Sequence, residues 1–232
     1  MAPPTLTPVD DSIVAKHSPY GVSTGFMRDL RGDWDGQIEL ASRVSTTAIE
    51  LSALSEDEVE PLLDFLGRVP SLPFRFKSVH GPAKNRQLDE AALVELLLGF
   101  RGLCDGIVMH PDTMQDLASY RELGSDLIIE NMDARKPSGG TVDDLNRVFA
   151  TLPEARFCFD VAHAWSIDPE MELAERLLDA FGPRLSHVHV SSLDAGLHHV
   201  SLTPADEALF ASTLRRCLDV PWILEAPPPL LS

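Results

Sequence analysis

The sequence predicts a small single α/β domain, a closed (β/α)8 barrel of the TIM type. Three observations predict it. Eight short β-type runs recur along the chain, and helical patterns fill most of the gaps between them. The glycine-rich strand-to-helix turn of an open dinucleotide-binding sheet is absent. Strands that alternate with helices pair in parallel through right-handed crossovers, and eight of them close a ring with the helices outside. The 232 residues, 44% hydrophobic and 24% charged, suffice for one core of this size.

The opening MAPPTLTPVDD has three prolines and little periodicity, so residues 1–19 are expected as an arm. The β-type runs follow: YGVST (20–24), AIEL (48–51), FRFKSVH (74–80), GIVMH (106–110), DLIIE (126–130), ARFCFD (155–160), RLSHVH (184–189) and WILE (222–225). Each is short, rich in Val, Ile and Phe, and bounded by glycine, proline or polar clusters. Over residues 56–69, Val59, Leu62, Leu63 and Leu66 recur at helical spacing, with Ser55 as N-cap and Glu58 three residues on. Leu93, Leu96, Leu97 and Phe100 mark a second helix, and Val142, Leu145, Val148 and Phe149 a third. Pro169 precedes EMELAERLLDAF and Pro204 precedes ADEALFASTLRRCL; a proline in the first turn forfeits no helical hydrogen bond. The barrel is expected over residues 20–227, and the APPPLLS end leaves a tail over 228–232.

Composition excludes several classes. Against 36 acidic residues stand 19 Lys and Arg, a net charge of −17. That charge repels polyanions and argues against non-specific nucleic-acid binding and against anionic membranes. Cys104, Cys158 and Cys217 lie far apart without a CxxC pair, which excludes a disulfide framework and suits a reducing cytoplasm. No secretory signal pattern opens the chain, and no run of about 18 apolar residues occurs in it. The expected partner is a small-molecule substrate; monomer and homodimer both stay open.

The chemistry sits at the strand ends. His80, His110, Glu130, Asp160, His189 and Glu225 close or nearly close six successive runs, at intervals of 30, 20, 30, 29 and 36 residues. All C-terminal strand ends of a parallel barrel meet at one face, where active sites are built. A single histidine at a strand end is ordinarily a hydrogen-bonded structural residue. Six ligand-type residues in succession point instead to a metal bowl, and imidazole with carboxylate suits Zn, Mn, Fe or Co. His187 shares the inward parity of His189, either lining the bowl or packed in the interior. Glu50, next to the end of AIEL, has substrate contact and a capping or solvated role as alternatives. Cys158 points inward as a packed thiol. Lys84 and Arg86 fall after the third run, and Arg135 and Lys136 after the fifth, where they either grip a substrate phosphate or carboxylate or serve as solvated loop charge.

Taken in order, SVHGP, VMHPD, IIENM, FDVAHAW, HVHVSS and ILEAP give the chain its resemblance. Over residues 20–227 it resembles the xylose isomerase-like barrel superfamily, which holds sugar isomerases and epimerases and the endonuclease IV-type apurinic endonucleases. The resemblance implies that Glu130, Asp160, His189 and Glu225 bind a metal, and that the two glutamates move a substrate proton. It implies substrate or further-metal contact for His163, in a D-x-x-H motif, and additional metal on His80 and His110. His199 stands near a further metal histidine of the endonuclease branch. The chain departs there, with Leu197 and His198 before His199 in place of D-R-H, and with His189-Val190-Ser191-Ser192 in place of H-L-N-D. The implied cofactor is one to three divalent ions. The implied activity is isomerisation or epimerisation of a sugar-like hydroxy-carbonyl compound; the alternatives are phosphodiester hydrolysis of the endonuclease IV type and a multinuclear-metal biosynthetic reaction. The charge makes nucleic acid an unlikely partner. Fluorescence anisotropy at about 0.15 M salt should therefore show no sub-micromolar, salt-dependent binding to duplex DNA.

Overall fold

The computed structural model describes residues 17, 20–69 and 71–228. The arm expected over 1–19 and the tail over 228–232 lie outside the described residues, apart from His17 and Pro228. Seven strands come first: β1 (Tyr20–Ser23), β2 (Ala48–Ser52), β3 (Phe76–His80), β4 (Gly106–Met109), β5 (Leu127–Glu130), β6 (Arg156–Asp160) and β7 (Leu185–Val190). Then β8 (Ser192–Leu193) and β9 (His199–Val200) form a short antiparallel hairpin. Last comes β10 (Trp222–Leu224). The first seven strands and β10 close a parallel barrel in the ring order β1-β10-β7-β6-β5-β4-β3-β2. The (β/α)8 class expected from the alternating pattern is the class observed.

Local sequence explains the helices. Those described are α1 (Trp34–Val44), α2 (Val59–Arg68), α3 (Glu90–Leu98), α4 (Val142–Thr151), α5 (Val161–Ile167), α6 (Glu172–Phe181) and α7 (Pro204–Leu214). Ser55 and Glu58 make the expected capping box ahead of α2. Thr141 with Asp144 and Thr203 with Asp206 do the same for α4 and α7. Each box satisfies amide groups that a helix start leaves without partners. Between β4 and β5 the chain makes 3-10 turns instead of an α-helix, broken at Gly124, whose φ of 56° lies in the left-handed region. No described helix is long and apolar enough to cross a membrane.

Apolar side chains between the strand ring and the helices form the main core, as one cluster that includes Leu62, Phe100, Phe157, Phe159, Phe210 and Trp222. Inside the ring a separate small cluster of Val108, Ile128 and Cys158 fills the middle. Arg156 at the start of β6 donates to Ser125 O at 2.7 Å, to Ser186 Oγ at 3.0 Å and to Asp105 O. His17 stacks on Trp222 with ring centroids 3.8 Å apart, and its Nε2 donates to Val220 O at 3.1 Å.

The tightest approach in the ring is at β1. A Cβ on Gly21 would stand 1.9 Å from Ala48 O, so the β1–β2 pairing admits no side chain there. Gly21→Ala should destabilise the fold by about 1–3 kcal/mol through overpacking. Gly67→Ala, where a Cβ meets nothing within 4 Å on exposed α2, should stabilise by about 0.5–1 kcal/mol. Urea unfolding midpoints of the two variants check both signs.

Candidate metal centre

The strand ends build a bowl with a cavity of about 480 Å³. His80, His110, Glu130, His163, His199 and Glu225 line it. Asp160 and His189 lie directly beneath and are fully buried. Three groups of potential ligand atoms converge in the bowl, each with its atoms within 4.8 Å of one another: His80, His110 and Glu130; Glu130, Asp160, His189 and Glu225; and Asp160, His163 and His199; a fourth, Cys158, His187 and His189, lies beneath them. Glu130 belongs to the first two groups and Asp160 to the second and third, so these three form one continuous cluster.

Local structure aims these side chains. The backbone carbonyl of Gly81 can only accept, so His80 Nδ1 donates to it at 2.9 Å and Nε2 is left facing Glu130 Oε2 at 3.3 Å. His110 Nε2 stands 3.1 Å from the same oxygen. His163 Nδ1 donates to Asn131 O at 2.9 Å, and its Nε2 lies 3.9 Å from Asp133 Oδ2. Asp160 is the N-cap of α5: its Oδ1 accepts from the His163 amide at 2.7 Å, while Oδ2 lies 3.6 Å from His163 Nδ1. The D-x-x-H spacing is therefore a helix cap that holds the aspartate and the histidine side by side. His189 Nδ1 faces Glu130 Oε1 at 3.2 Å and Glu225 Oε1 at 3.3 Å. The β8–β9 hairpin brings in His199, whose Nδ1 is 2.7 Å from Ser191 Oγ and 3.2 Å from Glu225 Oε2.

The electrostatics are those of crowded buried charge. Burial tends to raise the Glu130 carboxyl, but the charges of His189 and His110 overcome it and hold it well below the usual range. Glu225 goes the other way: burial, with repulsion from Asp160 and Glu130 outweighing the pull of His189, raises it to about 8. Burial tends to lower His163, yet Asp160 and Glu130 raise it to about 10. Burial lowers His110 and His199.

The residues fit a divalent cation. Glu130 Oε2, Asp160 Oδ2 and Glu225 Oε2 are buried and, although imidazole nitrogens stand 3.1–3.6 Å away, accept no well-aligned hydrogen bond among the described residues. Buried polar atoms ordinarily have one, and an ion or a water is the usual reason when they do not. Carboxylate oxygens and imidazole nitrogens separated by 3.1–3.3 Å are spaced like neighbouring ligands of one ion with bonds of about 2.0–2.2 Å.

Not every expected residue reaches the bowl. Arg86 does not: its guanidinium binds Glu56 Oε1 at 2.8 Å, Glu90 Oε1 at 3.0 Å and Thr113 O at 2.9 Å, which ties three loops together away from the cavity. Glu50 and His187 have no exposed surface and do not line the cavity; they lie one tier below it, the interior placement that was the alternative for His187. Lys84, Arg135 and Lys136 do line the cavity. Arg135 is committed to Asp133, with Nη2 to Oδ2 at 2.9 Å and Nε to Oδ1 at 3.0 Å, and Lys136 Nζ to Asp112 Oδ2 at 2.9 Å. Arg28 and Asp133 also line the cavity and were not singled out by sequence. Asp133 stands three residues beyond Glu130, directly after the IIENM segment, which was the available signal; nothing in the sequence marks Arg28.

No family model and no curated protein matches this chain. Solved structures do. Endonuclease IV from Thermus thermophilus superposes with a TM-score of 0.57 at 23% identity, over 84% of this chain and 88% of that one. D-Psicose 3-epimerase, solved in the presence of D-fructose, gives 0.60 at 14%, over 90% and 84%. A putative sugar phosphate isomerase/epimerase from Anabaena variabilis gives 0.55 at 14%, over 89% and 83%. At these identities the likeness concerns the fold alone, a (β/α)8 TIM barrel.

Zinc or manganese added to 100 times its dissociation constant should stabilise the protein by about 2.7 kcal/mol, seen as a higher Tm that a chelator reverses. Asp160→Ala should abolish that shift, and loss of the α5 cap should cost about 1 kcal/mol more in the metal-free protein.

Proposed function

We propose that this chain is a metal-dependent enzyme that isomerises or epimerises a small sugar-like hydroxy-carbonyl compound at the bowl. The observation that carries the reading is the convergence of Glu130, Asp160, His189 and Glu225 at the C-terminal ends of successive barrel strands. In that ring the strands of Asp160 and His189 separate those of the two glutamates. A divalent cation bound there, zinc, manganese, iron or cobalt, would polarise the carbonyl and the neighbouring hydroxyl of the substrate and acidify the C–H between them. Glu130 and Glu225, on opposite sides of that C–H, take the proton and return it as base and acid. His163 and His199 bound the cavity and orient substrate hydroxyls. On the rim, Arg28 and Lys84 make no ion pair among the described residues, which leaves both free for a phosphate or carboxylate end of the substrate.

A specific observation favours a second reading. His80 with His110, and His163 with His199, extend the cluster on either side of the four-residue set. Those extra imidazoles suit two or three ions and hence a phosphoester hydrolase of the endonuclease IV type or a multinuclear biosynthetic enzyme. The net charge of −17 disfavours duplex DNA as its substrate.

Elemental analysis of the purified protein separates the readings: one ion per chain supports the isomerase, and two or three support the multinuclear enzyme. Glu225→Gln should abolish turnover while metal content falls less, because the amide keeps a ligating oxygen but accepts no proton. Full activity of Glu225→Gln on an identified substrate would overturn the proton-transfer assignment. His163→Ala should weaken substrate binding with metal content unchanged under the first reading, and should lose one ion under the second.

A further inference from the structure

Below the bowl lies a second polar tier that the proposed chemistry does not use. Glu50, Ser78, His187 and Cys158 project into the barrel one step nearer its N-terminal end than Ser52, His80, His189 and Asp160. Glu50 has no exposed surface and, among the described residues, no lysine or arginine partner. Ser78 Oγ donates to its Oε2 at 2.8 Å. His189 Nε2 lies 3.1 Å from Oε1 and 3.2 Å from Oε2, and His187 Nε2 lies 3.3 Å from Oε2. A buried carboxylate of this kind is stable only if N–H and O–H groups are turned toward it.

We infer that Glu50 is the positioning residue of His189: it holds the Nε2–H of the imidazole and so commits Nδ1 as a metal ligand. The inference rests on the metal reading above. A neutral imidazole carries one N–H and one lone pair. With the N–H given to Glu50, the lone pair of Nδ1 faces Glu130 Oε1 and Glu225 Oε1 at 3.2 and 3.3 Å, an arrangement that a cation between the three atoms satisfies. His80 and His163 reach the same end by another route, with backbone carbonyls taking Nδ1–H and Nε2 left toward the bowl. His189 is turned the other way round, and its ring has carboxylate partners where theirs have carbonyls. Ser78 on β3 holds the Glu50 carboxylate through its hydroxyl, and His187 on β7 stands 3.3 Å from it, so the tether is fixed in direction as well as in charge. Carboxylate partners of ligating histidines raise ligand basicity, and losing one typically costs roughly 10- to 100-fold in metal affinity.

The test compares wild type, Glu50→Gln and Ser78→Ala by competition for Zn2+ with a chromophoric chelator, alongside the Tm of each metal-free protein. Glu50→Gln preserves volume and an acceptor oxygen but removes the charge. It should weaken the tightest Zn2+ site by roughly 10- to 100-fold while leaving the metal-free Tm near that of wild type. Ser78→Ala should weaken it by a smaller factor. A lower metal-free Tm with unchanged Zn2+ affinity would mean a merely structural role and overturn the inference. Should Glu50→Gln fail to fold, the imidazole NMR spectrum of Zn2+-loaded wild type decides: an Nε2–H tautomer of His189 with Nδ1 on the metal supports the inference, and an Nδ1–H tautomer overturns it. Wild type that takes up no Zn2+ and no Mn2+ would overturn the metal reading and this inference together, whereas metal uptake unaffected by Glu50→Gln would overturn this inference alone.

Discussion

Four carboxylates, Glu50, Glu130, Asp160 and Glu225, are gathered inside one barrel, and none of them pairs with a lysine or arginine among the described residues. Isolated buried charge is too costly to persist, so the whole upper half of the barrel is organised around compensating it. Imidazoles supply the first answer: His80, His110, His163, His187, His189 and His199 each approach at least one of these carboxylates. The opposite displacements of Glu130 and Glu225 show that imidazoles alone leave the balance uneven, with one glutamate held ionised and the other pushed toward its protonated form. A divalent cation bound as proposed would let all of the carboxylates ionise together, and its uptake would release protons.

Much of this was legible in the sequence because a parallel barrel converts sequence spacing into spatial convergence. Six of the strands end at or beside a ligand-type residue, and the closed ring sets those ends side by side. Height along the barrel axis was harder to read. AIEL looks like a run that ends at Leu51, but the strand continues to Ser52, so Glu50 sits a tier lower than a strand-end residue would. His187 is in the same position with respect to His189, two residues before it on β7. Alternation tells which side chains point inward and says nothing of which ones reach the cavity. The placement of Arg86 escaped sequence reasoning for another reason: Glu90 is a local partner four residues on, but Glu56 and Thr113 come from distant segments, and those contacts are set by tertiary packing.

The division of labour between strands and loops follows from the same geometry. Strand residues fix the four-ligand set rigidly, since β5, β6, β7 and β10 are consecutive in the ring. Loops supply the rim. Two of its cations are already committed, Arg135 to Asp133 and Lys136 to Asp112, and these pairs hold the β5–α4 loop in place over the bowl. Arg28 and Lys84 line the bowl after β1 and β3, on other segments of the rim, and make no ion pair among the described residues, so the bowl is uneven in charge.

His199 differs in kind from the other histidines that line the cavity. It is carried by the β8–β9 hairpin, which is joined by only two residue pairs, Ser192 with Val200 and Leu193 with His199, and turned at Leu197 with φ of 57°. That hairpin interrupts no barrel strand and bears no part of the apolar cluster inside the ring. Under the proposed metal reading, the number of ions the bowl accommodates would be open to change by exchanging this loop, with the barrel left as a fixed chassis. An insertion or deletion of a few hairpin residues would move His199 and leave every barrel strand as it stands.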